Sequence, residues 1–191
     1  MINKKLAVLI LAAGTSSRLG ESKQLVRYKR KTLLEHACQK ALEVSDDVFV
    51  VLGSNSEICK EKIKNLSVKT IFNKDFREGL SSSIRTGISR IEEYDNVLIM
   101  LCDQPFIPVN HMKKIVNLSQ KENKIICSLY NQKHAVPVIF PKKYFNQLKK
   151  LNGDTGAKII IMENNHTIIP LEDKYAIDID TKEDLKLLKL N

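Results

Sequence analysis

Glycine and proline are scarce in this chain, seven and five among 191 residues, which excludes a collagen-like chain. Nothing in it reads as coiled coil, low-complexity linker or internal repeat, and 43% hydrophobic content lies far from the disordered range. No apolar run approaches the ~20 residues that a membrane span needs, so no membrane partner is expected. Four cysteines occur, Cys38, Cys59, Cys102 and Cys127, and no two stand at the C-x-x-C spacing of a metal or redox motif. All four lie in apolar stretches, where a free thiol behaves as a small hydrophobe. The expectation is a reducing compartment, the cytoplasm. Lys4 and Lys5 followed by Leu6 to Ala13 have the outline of a signal-peptide start. That apolar run is short and passes straight into a Gly/Ser/Arg loop, so it is read as a buried first strand.

Positive charge is what the chain has in surplus: the net charge is +9 and the pI about 9.3. Such a surplus attracts polyanions, from nucleic acid to phosphorylated small molecules. However, 25 of the 31 cationic side chains are Lys, scattered along the chain with no basic-aromatic patch. No specific nucleic-acid partner is therefore expected.

Short apolar runs alternate with helical patterns, which predicts one α/β domain over residues 1–191. Leu6 to Leu11 reads as a central parallel strand buried on both faces. Strands are also predicted over Val48–Leu52, Val68–Phe72, Asn96–Leu101, Lys124–Tyr130, Val136–Phe140 and Thr167–Pro170, with an edge strand over Tyr175–Ile179. Helices are predicted over Thr32–Leu42, Glu57–Lys64, a serine-capped segment running to Glu93, an Asn110-capped segment running to Ser119, Lys142–Lys150, Asp154–Met162 and from Thr181 onward. Open α/β sheets bind ligands outside the carboxyl ends of their strands. The loops after Leu11, Phe72, Leu101 and Ile179 are therefore the ones to read for chemistry.

The first of these runs from Ala12 to Lys23. Gly14 and Gly20 let the backbone approach an anion and take up positive φ. Successive N–H groups there form an anion-binding concavity. Thr15, Ser16 and Ser17 add hydroxyls, and Arg18 and Lys23 add charge for phosphate oxygens. The loop is neither a P-loop, since Gly20 is followed by Glu21, nor a dinucleotide G-x-G-x-x-G. The loop after Phe72 leads to Gly79, Ser81, Ser82 and Ser83, which offer partners for a base or ribose. After Leu101 comes Asp103-Gln104-Pro105, a carboxylate at a strand tip, suited to a hard cation such as Mg²⁺. Asp178 and Asp180 share one face of the expected edge strand; one of them reads as a second metal ligand, and Asp180 reads alternatively as the cap of the last helix. Gly153, Asp154 and Gly156 form another close-approach loop, in which Asp154 also reads as the cap of the following helix.

Together these segments resemble the MobA-like nucleotidyltransferase family, and within it the molybdenum cofactor cytidylyltransferase branch. The family opening LAAGxSxRxGxxKxL is matched by Leu11 to Gly14, Ser16, Arg18, Gly20, Lys23 and Leu25. GxSxSxxxG is matched by Gly79, Ser81, Ser83 and Gly87, and the DQP turn by Asp103 to Pro105. A Val-Pro-Val strand at Pro137 precedes GDxGA at Gly153 to Ala157, and DIDTxED spans Asp178 to Asp184. The resemblance implies a three-layer α/β/α, Rossmann-like fold with a mostly parallel sheet. It implies CMP transfer from CTP (or another NTP) to a phosphorylated small-molecule acceptor, with Asp103 and Asp180 holding Mg²⁺ and Arg18 and Lys23 on the triphosphate. Ala12 and Ala13 fit the cytidylyl rather than the guanylyl branch. Gln104, His134, Pro137, Gly153, Asp154 and Lys158 fall in the half expected to meet the acceptor. Transient contact with a molybdoenzyme or its chaperone would accompany such a role. Leu19, Ala135 and Lys158 depart from the family's usual Met, Gly and Arg, and the last two bear on which acceptor is used.

Overall fold

The protein was analysed as a computed structural model that describes residues 4–16 and 19–190, Leu190 by its backbone alone. In chain order the strands are β1 (Leu6–Ala12), β2 (Arg27–Tyr28), β3 (Lys31–Thr32), β4 (Val48–Leu52), β5 (Lys69–Phe72), β6 (Asn96–Leu101), β7 (Ile125–Tyr130), β8 (Lys133–Pro141) and β9 (His166–Pro170). The α-helices are α1 (Leu33–Leu42), α2 (Ser56–Ile63), α3 (Leu80–Ile88), α4 (Val109–Lys121), α5 (Phe145–Leu148), α6 (Lys158–Glu163) and α7 (Asp184–Leu190). Seven strands form one sheet in the order β5-β4-β1-β6-β8-β7-β9, and β2 pairs with β3 apart from it. β8 runs antiparallel to β6 and β7; every other pairing in the large sheet is parallel.

The continuous apolar sequence of β1 is explained by its place between β4 and β6, with helices on both faces. Ala7, Leu9 and Leu11 enter one core with Ile84 and Ile88 of α3, Leu148 of α5 and Ile160 of α6. Val8, Ile10 and Ala12 enter the other, with Leu34 and Cys38 of α1, Cys59 of α2 and Ile115 of α4. This is the expected three-layer α/β/α arrangement. A third cluster joins Leu19, Val26 and Leu33 to Ile179 and Leu188, so the N-terminal loop rests on the C-terminal segment. None of the helices among the described residues is long and apolar enough to cross a membrane.

Several expected boundaries are corrected. α3 is not capped by a serine: Gly79 is its cap residue, and the helix ends at Ile88 rather than Glu93. Gly79 holds φ 104°, and a Cβ there would lie 2.7 Å from the Asp154 carboxylate. Asp154 does not cap the helix that follows it. Its Oδ1 accepts the Leu80 N–H at 2.9 Å, so it caps α3 from 74 residues away. Pro108, not Asn110, precedes α4. The segment over Tyr175–Ile179 is no strand; a 3₁₀ turn at Asp173–Tyr175 leads into extended chain whose Ile179 N–H donates to the Asp103 carbonyl. The carboxylates of Asp178 and Asp180 therefore owe their placement to the β6 exit, not to strand alternation.

Two outcomes follow from local chemistry. Thr32 Oγ1 accepts the Glu35 N–H, and the Glu35 carboxylate accepts the Thr32 N–H at 2.7 Å, a complete capping box on α1. Burial acts to raise the Glu35 pKa, but the bonds from Thr32 outweigh it and hold the carboxyl below its ordinary 4.5. A carboxyl held low in the folded state stabilises fully above its unfolded pKa, and that contribution fades as pH falls through the folded one. Thr32→Ala should therefore cost about 1 kcal/mol at neutral pH, with the deficit narrowing in urea titrations as pH falls below the ordinary carboxyl range. At Gly87 an added Cβ would meet Leu9 Cδ1 and Cδ2, both at 2.6 Å, in the sheet centre. Helix propensity favours Ala by about 1 kcal/mol, whereas overpacking a fixed core costs about 1–3 kcal/mol. Gly87→Ala should lower the melting temperature; an increase would show that Leu9 has room to move.

Candidate active site

β1 delivers the chain into the Gly14–Lys23 loop at the carboxyl edge of the sheet. Gln24, fully buried, is the bolt of that loop: its Nε2 donates to the carbonyls of Ala12 at 2.9 Å and Gly14 at 2.8 Å. Ser22 Oγ donates to the Gln24 Oε1 at 2.6 Å. Ser16 adopts φ 57°, accepts the Lys23 N–H on its hydroxyl at 3.0 Å, and accepts the Leu19 and Gly20 N–H groups on its carbonyl. Gly20 has the expected positive φ, but Gly14 does not, and a Cβ at Gly14 would meet nothing within 4 Å. Gly14 thus answers no demand of the chain's own packing, and it faces the cleft.

A 3₁₀ turn at Lys23–Leu25 directs the Lys23 side chain inward. Its ammonium forms a short ion pair with Asp103 and a second, at 2.9 Å, with Asp180 Oδ1. Burial alone would lower the Lys23 pKa; the charge and hydrogen bond of Asp103, joined by Asp180, outweigh it and raise the pKa above the ordinary lysine range. Asp103 is almost wholly buried, and its Oδ1 has no partner among the described residues. Asp178 stands beside them, accepting from Gln104 Nε2 at 2.7 Å. Burial, then the charge of Asp103, pushes the Asp178 pKa up, against the pull of the Gln104 bond. The helix-cap reading of Asp180 fails: Thr181 Oγ1 accepts the Asp184 N–H, while the Asp180 side chain turns to Lys23.

These groups line one side of a cleft of about 690 Å³. Ala12, Ala13, Gly14, Thr15 and Ser16 supply the loop wall, and Phe76, Arg77, Glu78, Gly79, Leu80 and Ser83 face it together with Asp154. Gly20, Ser81 and Ser82 are not in the lining. The hydroxyls of Ser81 and Ser82 are consumed inside the fold, donating to the carbonyls of Asn152 at 3.2 Å and Gly79 at 2.8 Å. Arg18, assigned to the triphosphate, lies outside the described residues. Gln104, His134, Pro137, Gly153 and Lys158 do not line the cleft either. Gln104 turns beneath it toward Asp178 and Tyr130, Lys158 opens α6 on the exposed surface, and His134, near the start of β8, packs against His166.

Sequence reasoning did not pick out Gln24 or Lys40 as site residues, and it left open which of Asp178 and Asp180 reaches the site. The Asp178-Ile179-Asp180 pattern carried a signal for Asp178. Gln24 and Lys40 act through backbone carbonyls and leave no motif. Lys40, on α1, donates to the carbonyls of Pro105 and Ile107, the latter at 2.7 Å, and so pins the turn that carries Asp103. Burial pushes its pKa down to about 8.

The described cleft lining holds five carboxylates, Glu78, Asp103, Asp154, Asp178 and Asp180, against two cations, Lys23 and Arg77. A polyanion entering beside three of those carboxylates needs a compensating cation. The residues present fit a divalent one: hard oxygen donors from two segments, with the buried Asp103 Oδ1 unpartnered. A mostly parallel sheet with such a cluster beside the loop after its first strand places a ligand site at the carboxyl ends of the strands.

The chain belongs to the MobA-like NTP transferase domain family, whose sequence model matches residues 8–168. The molybdenum cofactor cytidylyltransferase of Escherichia coli (strain K12) is 24% identical over 178 residues, covering 92% of this chain and 91% of the relative. A probable molybdenum cofactor guanylyltransferase of Flavobacterium johnsoniae is also 24% identical, over 97% of each chain. Among solved structures, Rv0371c of Mycobacterium tuberculosis H37Rv superposes with a TM-score of 0.87 at 22% identity, covering 99% of this chain and 100% of that one. Its complex with manganese superposes at 0.79 and 21% identity, over 96% and 97%. These superpositions establish the shared fold.

The Lys23 ammonium lies between the Asp103 and Asp180 carboxylates. Removing one unit charge at such range changes a cation's binding by about 1–4 kcal/mol. Lys23→Gln should therefore bind Mn²⁺ about tenfold or more tightly than the parent chain, read by calorimetry without nucleotide. Unchanged or weaker binding would show that these carboxylates are no cation site.

Proposed function

We propose that this nucleotidyltransferase is a Mg²⁺-dependent molybdenum cofactor cytidylyltransferase, moving CMP from CTP to the terminal phosphate of a molybdopterin-type acceptor and releasing pyrophosphate. The observation that carries the reading is the convergence of Asp103, Asp178 and Asp180 on Lys23, opposite the Ala12–Ser16 loop, in one cleft. Asp103 and Asp180 would hold the Mg²⁺. When bound, that ion neutralises phosphate charge and polarises the reacting phosphate.

The loop backbone, fixed by Gln24, orients the triphosphate, and Lys23 offers its ammonium to the phosphate oxygens. Arg18 belongs to the same proposal. The acceptor's phosphate is already ionised at neutral pH and needs no general base, which suits a described cleft lining that contains no histidine. Positioning and charge neutralisation then supply the rate enhancement. A cytoplasmic location is part of the reading, supported by four free, buried thiols.

Ala12 and Ala13 at the loop entrance favour CTP. The guanylyltransferase relative, matched over the full length at the same identity, motivates a second reading with GTP on the same carboxylates. Pyrophosphate release measured with molybdopterin, Mg²⁺ and each triphosphate separates them. CTP should support turnover and raise the melting temperature more than GTP. Asp103→Asn should remove turnover by about two or more orders of magnitude while leaving the fold intact. Equal or better performance with GTP would overturn the cytidylyl reading. Full activity of Asp103→Asn would overturn the site.

A further inference from the structure

Three neighbouring strands on the β9 side of the sheet carry chemically active side chains that do not line the cleft. Cys127 lies in β7, His134 near the start of β8 and His166 at the start of β9. β7 pairs with both neighbours, and the ladder sets His134 opposite Leu129 and His166 opposite Ile125. Leu129 and Ile125 flank Cys127 at two-residue spacing, so all three side chains share one face of the sheet. The imidazoles lean in from opposite directions, their ring centroids 4.7 Å apart and their planes at 84°. The Cys127 sulfur and one nitrogen from each ring lie within 4.8 Å of one another. The thiol is buried and both histidines are half-buried, so the cluster is closed below and open on its outer side.

We propose that Cys127, His134 and His166 form a binding site for a Zn²⁺-class cation, with water in the fourth position. One thiolate and two neutral imidazoles are a donor set that this borderline-soft ion prefers. A second observation supports the assignment. His166 Nδ1 lies 2.9 Å from the Asn164 carbonyl, so it carries the proton and leaves Nε2 with its lone pair. Fixing a metal-binding imidazole through its other nitrogen is the usual arrangement around such ions. Tetrahedral bonding would draw the donor atoms to about 3.3–3.7 Å apart. Two half-buried histidines can make that small movement by side-chain rotation. Binding would release the Cys127 proton to solvent and leave a thiolate–metal bond.

The site is separate from the cleft, since none of its three residues lines it. The two donor sets also sort metals: carboxylates with phosphate oxygens take Mg²⁺, whereas Cys with two His takes the Zn²⁺ class. The ion would tie β8 and β9 to β7, and β9 is the edge strand of the sheet.

Co²⁺ titrated into the metal-free full chain tests this directly. The expected result is a near-ultraviolet thiolate-to-cobalt band with visible absorption of four-coordinate strength, saturating at one equivalent and bleached by Zn²⁺. Cys127→Ser should abolish the band. His134→Gln and His166→Gln should each weaken Co²⁺ binding about tenfold or more, with unchanged far-ultraviolet circular dichroism. Asp103→Asn should keep the band intact, which separates this site from the cleft. Absence of the band in the parent chain overturns the proposal. So does a band that survives Cys127→Ser, or unchanged Co²⁺ affinity in both histidine variants.

Discussion

The Lys23 ammonium, shared between Asp103 and Asp180, is the interaction on which the site depends. It joins three segments: the turn after the first loop, the exit of β6 and the stretch before α7, which the Ile179 N–H also ties to the Asp103 carbonyl. Leaving any one of these charges buried and alone would cost several kcal/mol. Under the proposed function, Lys23 would turn to the triphosphate and a divalent cation would take its place between the carboxylates, so that one set of counter-charges replaces another.

Around that cluster, packing does the positioning. Gln24 closes the first loop on the β1 exit, and Lys40 fixes the turn carrying Asp103 through two carbonyls. On the opposite wall the 151–154 segment is bound to α3: Arg85 Nη1 donates to the Leu151 carbonyl at 2.7 Å, and Asp154 caps the helix. The two walls are thus tied to different strands by polar groups that meet backbone, while the sheet between them is apolar on both faces.

Much of this was legible in the sequence because its signals are local. The apolar run of β1, the boundaries of Val48–Leu52 and Asn96–Leu101, and the span of α1 to within one residue each follow from residues within one turn or one strand. The carboxylates at Asp103 and Asp180 were legible from their place after strands or before a helix. What could not be read depends on partners distant in sequence. Asp154 reads as a cap for its own helix, and only the fold shows that it caps α3. The three serines at the α3 start read as ligand groups, yet two of them face inward to satisfy carbonyls. His134 reads from its segment as an acceptor residue, whereas its ring contact with His166 on β9 depends on strand pairing that the segment alone does not reveal. Cysteine spacing showed no metal motif, since the donor set around Cys127 is assembled across three strands rather than along one.

The pairing of Lys23 with Asp180 spans 157 residues. Contacts of such long range form late, because the intervening chain must be ordered before its ends can meet. During synthesis the first loop, β1 and their flanking helices emerge long before the segment that carries Asp178 and Asp180. The nascent chain can thus build most of its sheet while Lys23 and Asp103 still lack their third member. The segment with Asp178 and Asp180 follows all nine strands, so no sheet-forming intermediate that lacks it carries a finished site.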